Sequence, residues 1–419
     1  MSQTLKIPTC NVLMGGDYTA AITLGCGDTT TTANVVLDTG SSTLAVQASK
    51  FRHVDARPTP YVQFVGYGTG SWAGPVCSVA VGMGTGDHRV ELPEVYCAQI
   101  ESGSMPSSSA PMFSPADGIM GLAYGNLDEA ANVGGASSHY PLAKYATAQA
   151  FGVLPNIETL TPYFTQLETA GVVPNAFAFW TKRSMTDYSK PDPKDNPVNQ
   201  GWFVLGDGEQ HTELYQGGFQ AAKVIGDAYY NTQLLTVQVG DGDRIEVPSL
   251  QQIGVAVGRT GWSPQVVQAY RQTLEESVSN SIIDSGTNGM TLMDGVFQAL
   301  LEELGKHDPK FAQMARSQVA PLTTEDLDAW PAITLVLAGA DGQDVSLVMK
   351  PQTYWQVDAF AEPRYAGMAS FAISSAGAWQ GNIPSPQSIL GLPAMNDRYT
   401  VFDRSAGAGR GVVKFATLR

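Results

Sequence analysis

One short pattern occurs twice in this chain and limits the folds that the chain can adopt. The first copy is Val35-Val36-Leu37-Asp38-Thr39-Gly40-Ser41, and the second is Ile282-Ile283-Asp284-Ser285-Gly286-Thr287. In each copy an aspartate follows a short apolar run that predicts a β-strand, and a hydroxyl residue and a glycine come directly after the aspartate. One such site would be an ordinary strand-to-turn junction. Two sites, one in each half of the chain, predict two similar lobes whose carboxylates face each other across a cleft.

Length and composition agree with two β-rich lobes. The chain has 419 residues, of which 43% are hydrophobic and 15% charged, so it is too long for one core and can bury a large apolar surface. The 44 glycines and 25 prolines favour short strands and turns over long helices. Helical patterns are limited to a segment after Pro162 and to residues 263–278 and 295–304. We predict an N-terminal lobe at residues 1–174 and a C-terminal lobe at residues 175–419.

The charge of the chain bears on its partners and its location. A formal net charge of −15 and a pI near 4.7 disfavour nucleic-acid and anionic-membrane partners, which need a basic face. No run of 18 or more apolar residues predicts a transmembrane helix. The N-terminus lacks the basic start and apolar run of a signal peptide. We therefore expect a cytoplasmic monomer, with a secreted or periplasmic location as the alternative if a signal peptide is removed.

The cysteines indicate neither a metal site nor a disulfide framework. Cys10, Cys26, Cys77 and Cys97 form no CxxC pair and have no histidine at metal-ligand spacing, so no metal or other cofactor is predicted. Four reduced thiols are expected. Cys77 and Cys97 remain candidates for a disulfide between neighbouring strands if the compartment is oxidising.

The paired aspartates predict acid–base chemistry. Two neighbouring carboxyl groups cannot both ionise cheaply, so they share one proton. The charged group can take a proton from water while the neutral group protonates a carbonyl oxygen, which suits direct attack of water on an amide. The hydroxyl groups after each aspartate are predicted to hydrogen-bond the carboxyl groups: Thr39, Ser41, Ser285 and Thr287. Gly40 and Gly286 are predicted to leave space beside them.

These two turns resemble the two active-site motifs of the pepsin-like aspartic proteases. Four further segments resemble parts of that family and extend the similarity over nearly the whole chain. They are the flap tip at 67–71, the strand through the first lobe's psi-shaped loop at 117–124, and the end of the second lobe at 389–392 and 399–404. The resemblance implies a mainly β, bilobal pepsin-like fold with a central sheet and an active-site cleft between the lobes.

The resemblance also implies roles for individual residues. Asp38 and Asp284 would be the catalytic pair, with Ser41 and Thr287 as their outer hydrogen-bond partners. Tyr67 would close over the substrate from the flap. The remaining substrate-binding positions would be Gly68 and Thr69, which bind the substrate backbone, and Ile119, which lines a hydrophobic pocket.

Three departures from the family pattern narrow the prediction. Ala45 stands where these enzymes usually have a tryptophan that bonds the flap tyrosine, and Trp72 is expected to replace it, an arrangement similar to β-secretase. Leu392 stands where many members have an aspartate, so the pH profile of pepsin cannot be transferred. Only 37 residues precede Asp38, which leaves no space for an inhibitory prosegment. The missing signal peptide, the missing prosegment and the reduced cysteines together resemble a bacterial pepsin homologue of the shewasin type.

The sequence therefore predicts an aspartic endopeptidase, sensitive to pepstatin, that cleaves peptides or unfolded proteins between hydrophobic residues. The first alternative is a catalytically silent member of the fold that acts as a binding or inhibitor protein. Such members usually lose a catalytic aspartate or a motif glycine, and this chain keeps all four. A glycosidase with a carboxylate pair would explain the two acids but not the flap or the repeated turn.

Overall fold

The computed structural model describes residues 3–14, 16–67, 70–86, 88–104, 111–135, 156–183, 195–257, 260, 262–360, 363–379 and 383–419. The protein is mainly β, which confirms the predicted fold class. Two compact units are present, one formed by Met1–Phe177 and Trp202–Gly208 and the other by Ala178–Gly201 and Glu209–Arg419. Because these units are defined by contacts and not by independent folding, the predicted lobe boundary after residue 174 stays a prediction.

The first unit is built from eleven described strands and one helix. The strands are β1 (Leu5–Met14), β2 (Asp17–Leu24), β3 (Thr31–Asp38), β4 (Leu44–Gln47), β5 (Arg57–Tyr67), β6 (Gly70–Thr85), β7 (His88–Ile100), β8 (Ser102–Ser104), β9 (Gly118–Gly121), β10 (Glu129–Asn132) and β11 (Ile157–Thr159), and the helix is α1 (Tyr163–Thr169). Their order in the sheet is β11-β10-β5-β6-β7-β4-β9-β3-β2-β1, with β8 beside β6. Two further strands, β12 (Ala176–Thr181) and β13 (Gln200–Leu205), include residues of both units.

A long hairpin of β5 and β6 carries the predicted flap. Its strands pair from Arg57 with Ser78 to Tyr67 with Gly70. The turn residues Gly68 and Thr69 lie outside the described residues. One face of the hairpin packs on an apolar cluster that includes Trp72, and burial of such large side chains supplies about 25 cal/mol per Å² of apolar surface.

The strand order brings three strands together behind Asp38. β9 runs parallel to β3 and antiparallel to β4, so it lies between them. Gly121 at the end of β9 is a place where no side chain fits, because a Cβ atom there would lie 2.3–2.5 Å from the backbone of Ser42. The glycine is therefore required by the close approach of two chain segments.

The second unit combines short strands with six described helices. The strands are β14 (Tyr215–Lys223), β15 (Asn231–Thr232), β16 (Leu234–Val239), β17 (Arg244–Glu246), β18 (Ser281–Ile283), β19 (Met290–Leu292), β20 (Val319–Ala320), β21 (Ile333–Leu337), β22 (Val345–Met349), β23 (Trp355–Val357), β24 (Ala369–Phe371), β25 (Ile373–Ser375), β26 (Ala378–Trp379), β27 (Ile383–Pro384), β28 (Ser388–Leu390), β29 (Arg398–Asp403) and β30 (Val412–Leu418). The helices are α2 (Leu250–Val257), α3 (Pro264–Glu276), α4 (Asp294–His307), α5 (Pro309–Ser317), α6 (Pro351–Tyr354) and α7 (Leu392–Met395).

The sheets of this unit place a second aspartate in a similar crossing. Strands β15, β18, β28, β19 and β25 lie side by side in that order. β28 runs parallel to β18 and antiparallel to β19, which matches the relation of β9 to β3 and β4. A four-stranded sheet of β17, β16, β21 and β22 and an antiparallel set of β29, β30 and β14 complete the main framework.

Several elements differ from the sequence predictions for local reasons. The sequence of residues 365–371 predicts a strand, but Gly367 has a φ of +73°, and only Ala369–Phe371 is extended. The sequence of residues 126–170 is the most helix-compatible part of the first half of the chain, but its described residues form strands β10 and β11 and one helix, α1. Helix α5 was not predicted, although Asp308 caps it by accepting a hydrogen bond from the backbone of Lys310. Residues 183–200, rich in proline and aspartate, predict an exposed loop, and this segment lies largely outside the described residues.

Two cysteines face each other in neighbouring strands. Cys77 in β6 pairs with Cys97 in β7, and both are buried thiols, not a disulfide. The Cys77 Sγ donates to the Cys97 carbonyl oxygen at 3.3 Å, and burial raises the pKa of Cys77 to about 11.

Within the described ranges, no three His, Cys, Asp or Glu side chains cluster as metal ligands would. No helix in those ranges has the length and apolar character needed to cross a membrane.

Candidate active site

Asp38 ends β3 and is held in a tight turn. Its side chain is only 4% exposed. The backbone N–H of Gly40 donates to Oδ1 at 2.7 Å, and the Ser41 hydroxyl donates to Oδ2. Thr39 between them is fully buried. Each carboxylate oxygen therefore has a donor that comes from within three residues, and the two donors fix the plane of the carboxyl group.

The neighbouring strand fixes the backbone of this turn. The Leu122 N–H donates to the Asp38 carbonyl oxygen at 2.7 Å, and the Ala123 N–H donates to the Ser41 carbonyl oxygen at 2.8 Å. The Gly121 N–H donates to the Thr43 carbonyl oxygen at 3.0 Å. The turn is thus bonded at Asp38 and at two residues after it to the end of β9 and the chain that follows, so its conformation does not depend on the turn residues alone.

Asp284 follows β18 in a turn with the same hydrogen bonds. The Gly286 N–H donates to Oδ1 at 2.8 Å, and the Thr287 hydroxyl donates to Oδ2 at 2.6 Å. The Asp284 side chain is 8% exposed, and Ser285 is fully buried. The motif glycines therefore act through their N–H groups, a role that the sequence analysis did not assign to them.

The strand that crosses this second turn also ends at a glycine. The Asp284 N–H donates to the Leu390 carbonyl oxygen at 3.1 Å, and the Leu392 N–H donates to the Thr287 carbonyl oxygen at 2.9 Å. A Cβ atom on Gly391 would lie 1.9 Å from one backbone oxygen and 2.2 Å from another. Gly391 in the second unit thus meets the same steric requirement as Gly121 in the first.

Tyr67, at the end of β5, lies close to the Asp38 turn. Its ring packs edge-to-face on Phe113 with 5.6 Å between centroids. Burial of the hydroxyl, and next the charge of Asp38, raise the pKa of Tyr67 well above its usual value. Trp72 and Ser41 are near enough to lower that pKa in part, although no described group meets full hydrogen-bond geometry with the hydroxyl. The first unit thus brings the predicted flap tyrosine and Asp38 into electrostatic contact.

Trp72 and Ile119 belong to one apolar cluster below this hairpin. Trp72 is 1% exposed, pairs with Val65 in the hairpin, and shares the cluster with Ile119 and Ala45. The small side chain at Ala45 and the large one at Trp72 therefore contribute to the same packed volume. Their proposed roles toward a substrate stay predictions, as do those of Gly68 and Thr69 outside the described residues.

A buried polar group next to the site was missed by the sequence analysis. Asp128 is 4% exposed, and its Oδ1 accepts hydrogen bonds from Thr43 Oγ1 at 2.9 Å and Gln63 Nε2 at 2.8 Å. Burial raises the pKa of Asp128 to about 6, against the opposing effect of these two bonds. In the sequence Asp128 stands beside Glu129 after a turn, where an exposed acidic pair is the ordinary expectation.

Comparisons with known proteins agree with the family resemblance at low identity. No family model matches the chain. Over 401 residues the chain is 22% identical to a protein named beta-secretase from Strongylocentrotus purpuratus. The aligned region covers 88% of this chain and 62% of that relative, so the chain spans less than two thirds of the relative's length. This distant similarity supports the resemblance to pepsin-like aspartic proteases at the level of the family.

Proposed function

We propose that this protein is an aspartic endopeptidase in which Asp38 and Asp284 act as one proton-sharing pair. The observation that carries the proposal is the equivalence of the two turns. In each turn, a glycine N–H donates to one carboxylate oxygen and a hydroxyl donates to the other. The distant similarity to a beta-secretase supports the same chemistry.

In the proposed mechanism the pair carries one proton. The charged carboxylate takes a proton from a water molecule, and the water attacks the carbon of the scissile amide. The neutral carboxyl group gives its proton to the carbonyl oxygen, which stabilises the developing negative charge. The donors of Gly40, Ser41, Gly286 and Thr287 keep both carboxyl groups oriented, so little reorganisation is needed during the reaction.

We further propose that the substrate binds in an extended conformation with hydrophobic residues on both sides of the scissile bond. An extended peptide can pair with backbone groups in the manner of an added strand. The resemblance to the pepsin-like family, which assigns Ile119 to a hydrophobic pocket, supports a preference for side chains such as Leu, Met and Phe. Peptides or unfolded protein segments are the substrate class that fits this mode of binding.

The proposal is tested by replacing each aspartate with asparagine, which keeps the shape of the side chain and removes its acid–base function. Asp38→Asn and Asp284→Asn should each lower kcat/KM for a hydrophobic fluorogenic peptide by at least about 10²- to 10⁴-fold. The matched control is Asp241→Asn, because Asp241 is an exposed aspartate that also precedes a glycine. The control should keep the activity of the wild type, and the proteins should be compared across pH 3 to 7.

Two results would contradict the proposal. Activity retained in both Asp38→Asn and Asp284→Asn would exclude the paired mechanism. A wild type that binds pepstatin or a peptide stoichiometrically but cleaves nothing between pH 3 and 7 would favour the catalytically silent binding protein. A pepstatin titration that abolishes cleavage at one inhibitor per chain would support the endopeptidase.

We also propose the narrower placement suggested by the sequence, a monomeric, cytoplasmic enzyme of the bacterial shewasin type. The unbonded thiols of Cys77 and Cys97 support a reducing compartment, since two facing cysteines in an oxidising compartment would be expected to pair. Cell fractionation with a compartment marker, and light scattering of the purified protein, would test the location and the monomeric state separately.

A further inference from the structure

A single carboxyl oxygen joins two segments that the proposed function uses separately. Asp128 Oδ1 accepts hydrogen bonds from Thr43, which lies in the turn after Asp38, and from Gln63, which lies in β5. Gln63 Nε2 also donates to the Glu129 carbonyl oxygen at 3.2 Å. We call this set of three side chains, Thr43, Gln63 and Asp128, the polar bridge.

The polar bridge is connected to the candidate site through Thr43 and through Gln63. The Thr43 carbonyl oxygen accepts from the Gly121 N–H, and Gly121 is paired with Asp38 in the parallel register of β3 and β9. Gln63 pairs with Gly74 within the β5–β6 hairpin, four residues before Tyr67. The bridge therefore connects the strands behind Asp38 with the hairpin that carries Tyr67.

The charged state of the bridge is costly because no cation compensates it. Among the described residues, no Lys, Arg or His forms an ion pair with Asp128. The titratable groups on the packed elements are Arg57, Tyr61 and Tyr67 on β5, Glu129 on β10, Glu158 on β11, and Asp38 beyond the turn. Arg57 is exposed at the far end of β5 and pairs with Glu94 at 2.8 Å, so it does not compensate Asp128. Tyr61 and Glu158 bond each other at the surface. Burial accordingly raises the pKa of Asp128 to about 6.

We propose that Asp128 is a positioning residue whose neutral carboxyl group holds the β5–β6 hairpin against the Asp38 turn, and whose ionised form weakens that connection. Ionisation leaves a negative charge in a dry site, and local opening of the bridge relieves it by admitting water. The connection is then strongest below about pH 6, where the carboxyl group of Asp128 is neutral. The expected effect of Asp128 on catalysis rests on the proposed function. Its expected effect on the β5–β6 hairpin does not.

The structural part is tested by hydrogen–deuterium exchange of the wild type and Asp128→Asn between pH 4.5 and 7.5. After correction for intrinsic exchange, the amides of β5 in the wild type should lose protection by up to about 25-fold, the limit set by a pKa that falls from about 6 to 3.8 on opening. Asp128→Asn should show no such change, because an amide cannot ionise. Asp55→Asn is the matched control, since Asp55 is an exposed aspartate of the same unit, and it should follow the wild type.

The catalytic meaning is tested by the pH profile of kcat/KM. The wild type should show an ionisation near pH 6 on the alkaline side that Asp128→Asn lacks, whereas a merely structural residue would change activity equally at every pH. Equal pH profiles of the two proteins would overturn the positioning role.

The exchange experiment also separates this inference from the proposed function. If the wild type cleaves no peptide, the proposed function fails, and exchange still decides on the bridge. If Asp128→Asn does not fold, the wild type alone is decisive, since β5 protection that is constant across pH 6 would overturn the inference. A loss of protection with a midpoint near pH 6, confined to the amides of β5 and of the turn around Thr43, would support the inference.

Discussion

Replacing the carboxyl group of Asp128 by an amide should make the free energy of unfolding less sensitive to pH. Asp128 is almost completely buried, and its pKa in the folded protein is raised from 3.8 to about 6. Between these two values the folded protein binds a proton that the unfolded chain has already lost. The contribution of this group to stability is therefore fully present below pH 3.8 and is lost as the pH rises through about 6.

The size of the effect follows from the same two values. The complete loss is about 3 kcal/mol, and about 2 kcal/mol of it falls between pH 4.5 and pH 7.5. Asp128→Asn keeps an oxygen that can accept from Thr43 and Gln63 but cannot ionise. The free energy of unfolding of this variant, relative to that of the wild type, should therefore rise by about 2 kcal/mol from pH 4.5 to pH 7.5.

The assay is urea denaturation at pH 4.5, 5.5, 6.5 and 7.5. Unfolding is monitored with a probe located in the first unit, so that the measured free energy of unfolding belongs to that unit and is not an average over both units. The exposed residue Asp55 again supplies the control, and Asp55→Asn should differ from the wild type by the same amount at every pH. A difference between Asp128→Asn and the wild type that is independent of pH would refute the reasoning. A variant that becomes relatively less stable as the pH rises would mean that the native carboxylate is stabilised, not destabilised, by its surroundings.

Three other predictions follow from single contacts. Gly391→Ala should destabilise the second unit by more than about 3 kcal/mol in denaturant titrations, because the added Cβ would lie 1.9 Å from a backbone oxygen. The control is Gly218→Ala, whose Cβ would have no atom within 4 Å and which should change the stability by less than about 1 kcal/mol. Tyr67→Phe should change the free energy of unfolding by less than about 1 kcal/mol, because the Tyr67 hydroxyl makes no hydrogen bond of full geometry with the described residues. A larger loss of stability would contradict this and would mean that the hydroxyl is hydrogen-bonded in the folded protein. In native protein at pH 8, a thiol reagent should modify the exposed Cys26 and spare Cys77 until the protein unfolds, since burial keeps the Cys77 thiol protonated.

The parts of the site that could be predicted are those that depend on neighbouring residues. The donors to Asp38 come from Gly40 and Ser41, within three positions, so the short motif already contains the geometry of the turn. The sequence Leu44–Gln47 is largely apolar and follows a turn, which predicts a strand, and the observed strand has the same limits. Local sequence is sufficient where both partners of an interaction lie in the same segment.

The polar bridge could not be predicted because its partners come from distant segments. Asp128 is separated from Thr43 by 85 residues and from Gln63 by 65 residues, and nothing in the sequence around any of the three indicates burial. Burial of Asp128 is decided by the strand order, which places β10 beside β5. Polar residues in a core follow no hydrophobic period, so periodicity assigns them to the surface.

The two aspartate turns differ in sequence but satisfy the same requirements, and this difference is informative. β3 has eight residues and β18 has three, and the outer donor is Ser41 in one turn and Thr287 in the other. A turn that served only stability could use Asn or Ser and avoid the cost of a buried carboxylate. Two independent turns that both keep the acid, and that both give it one backbone and one hydroxyl donor, favour a chemical role for the charge. On this reasoning, asparagine at either position should remove activity while leaving the fold intact, because the amide keeps the shape of the side chain and needs no charge to be compensated.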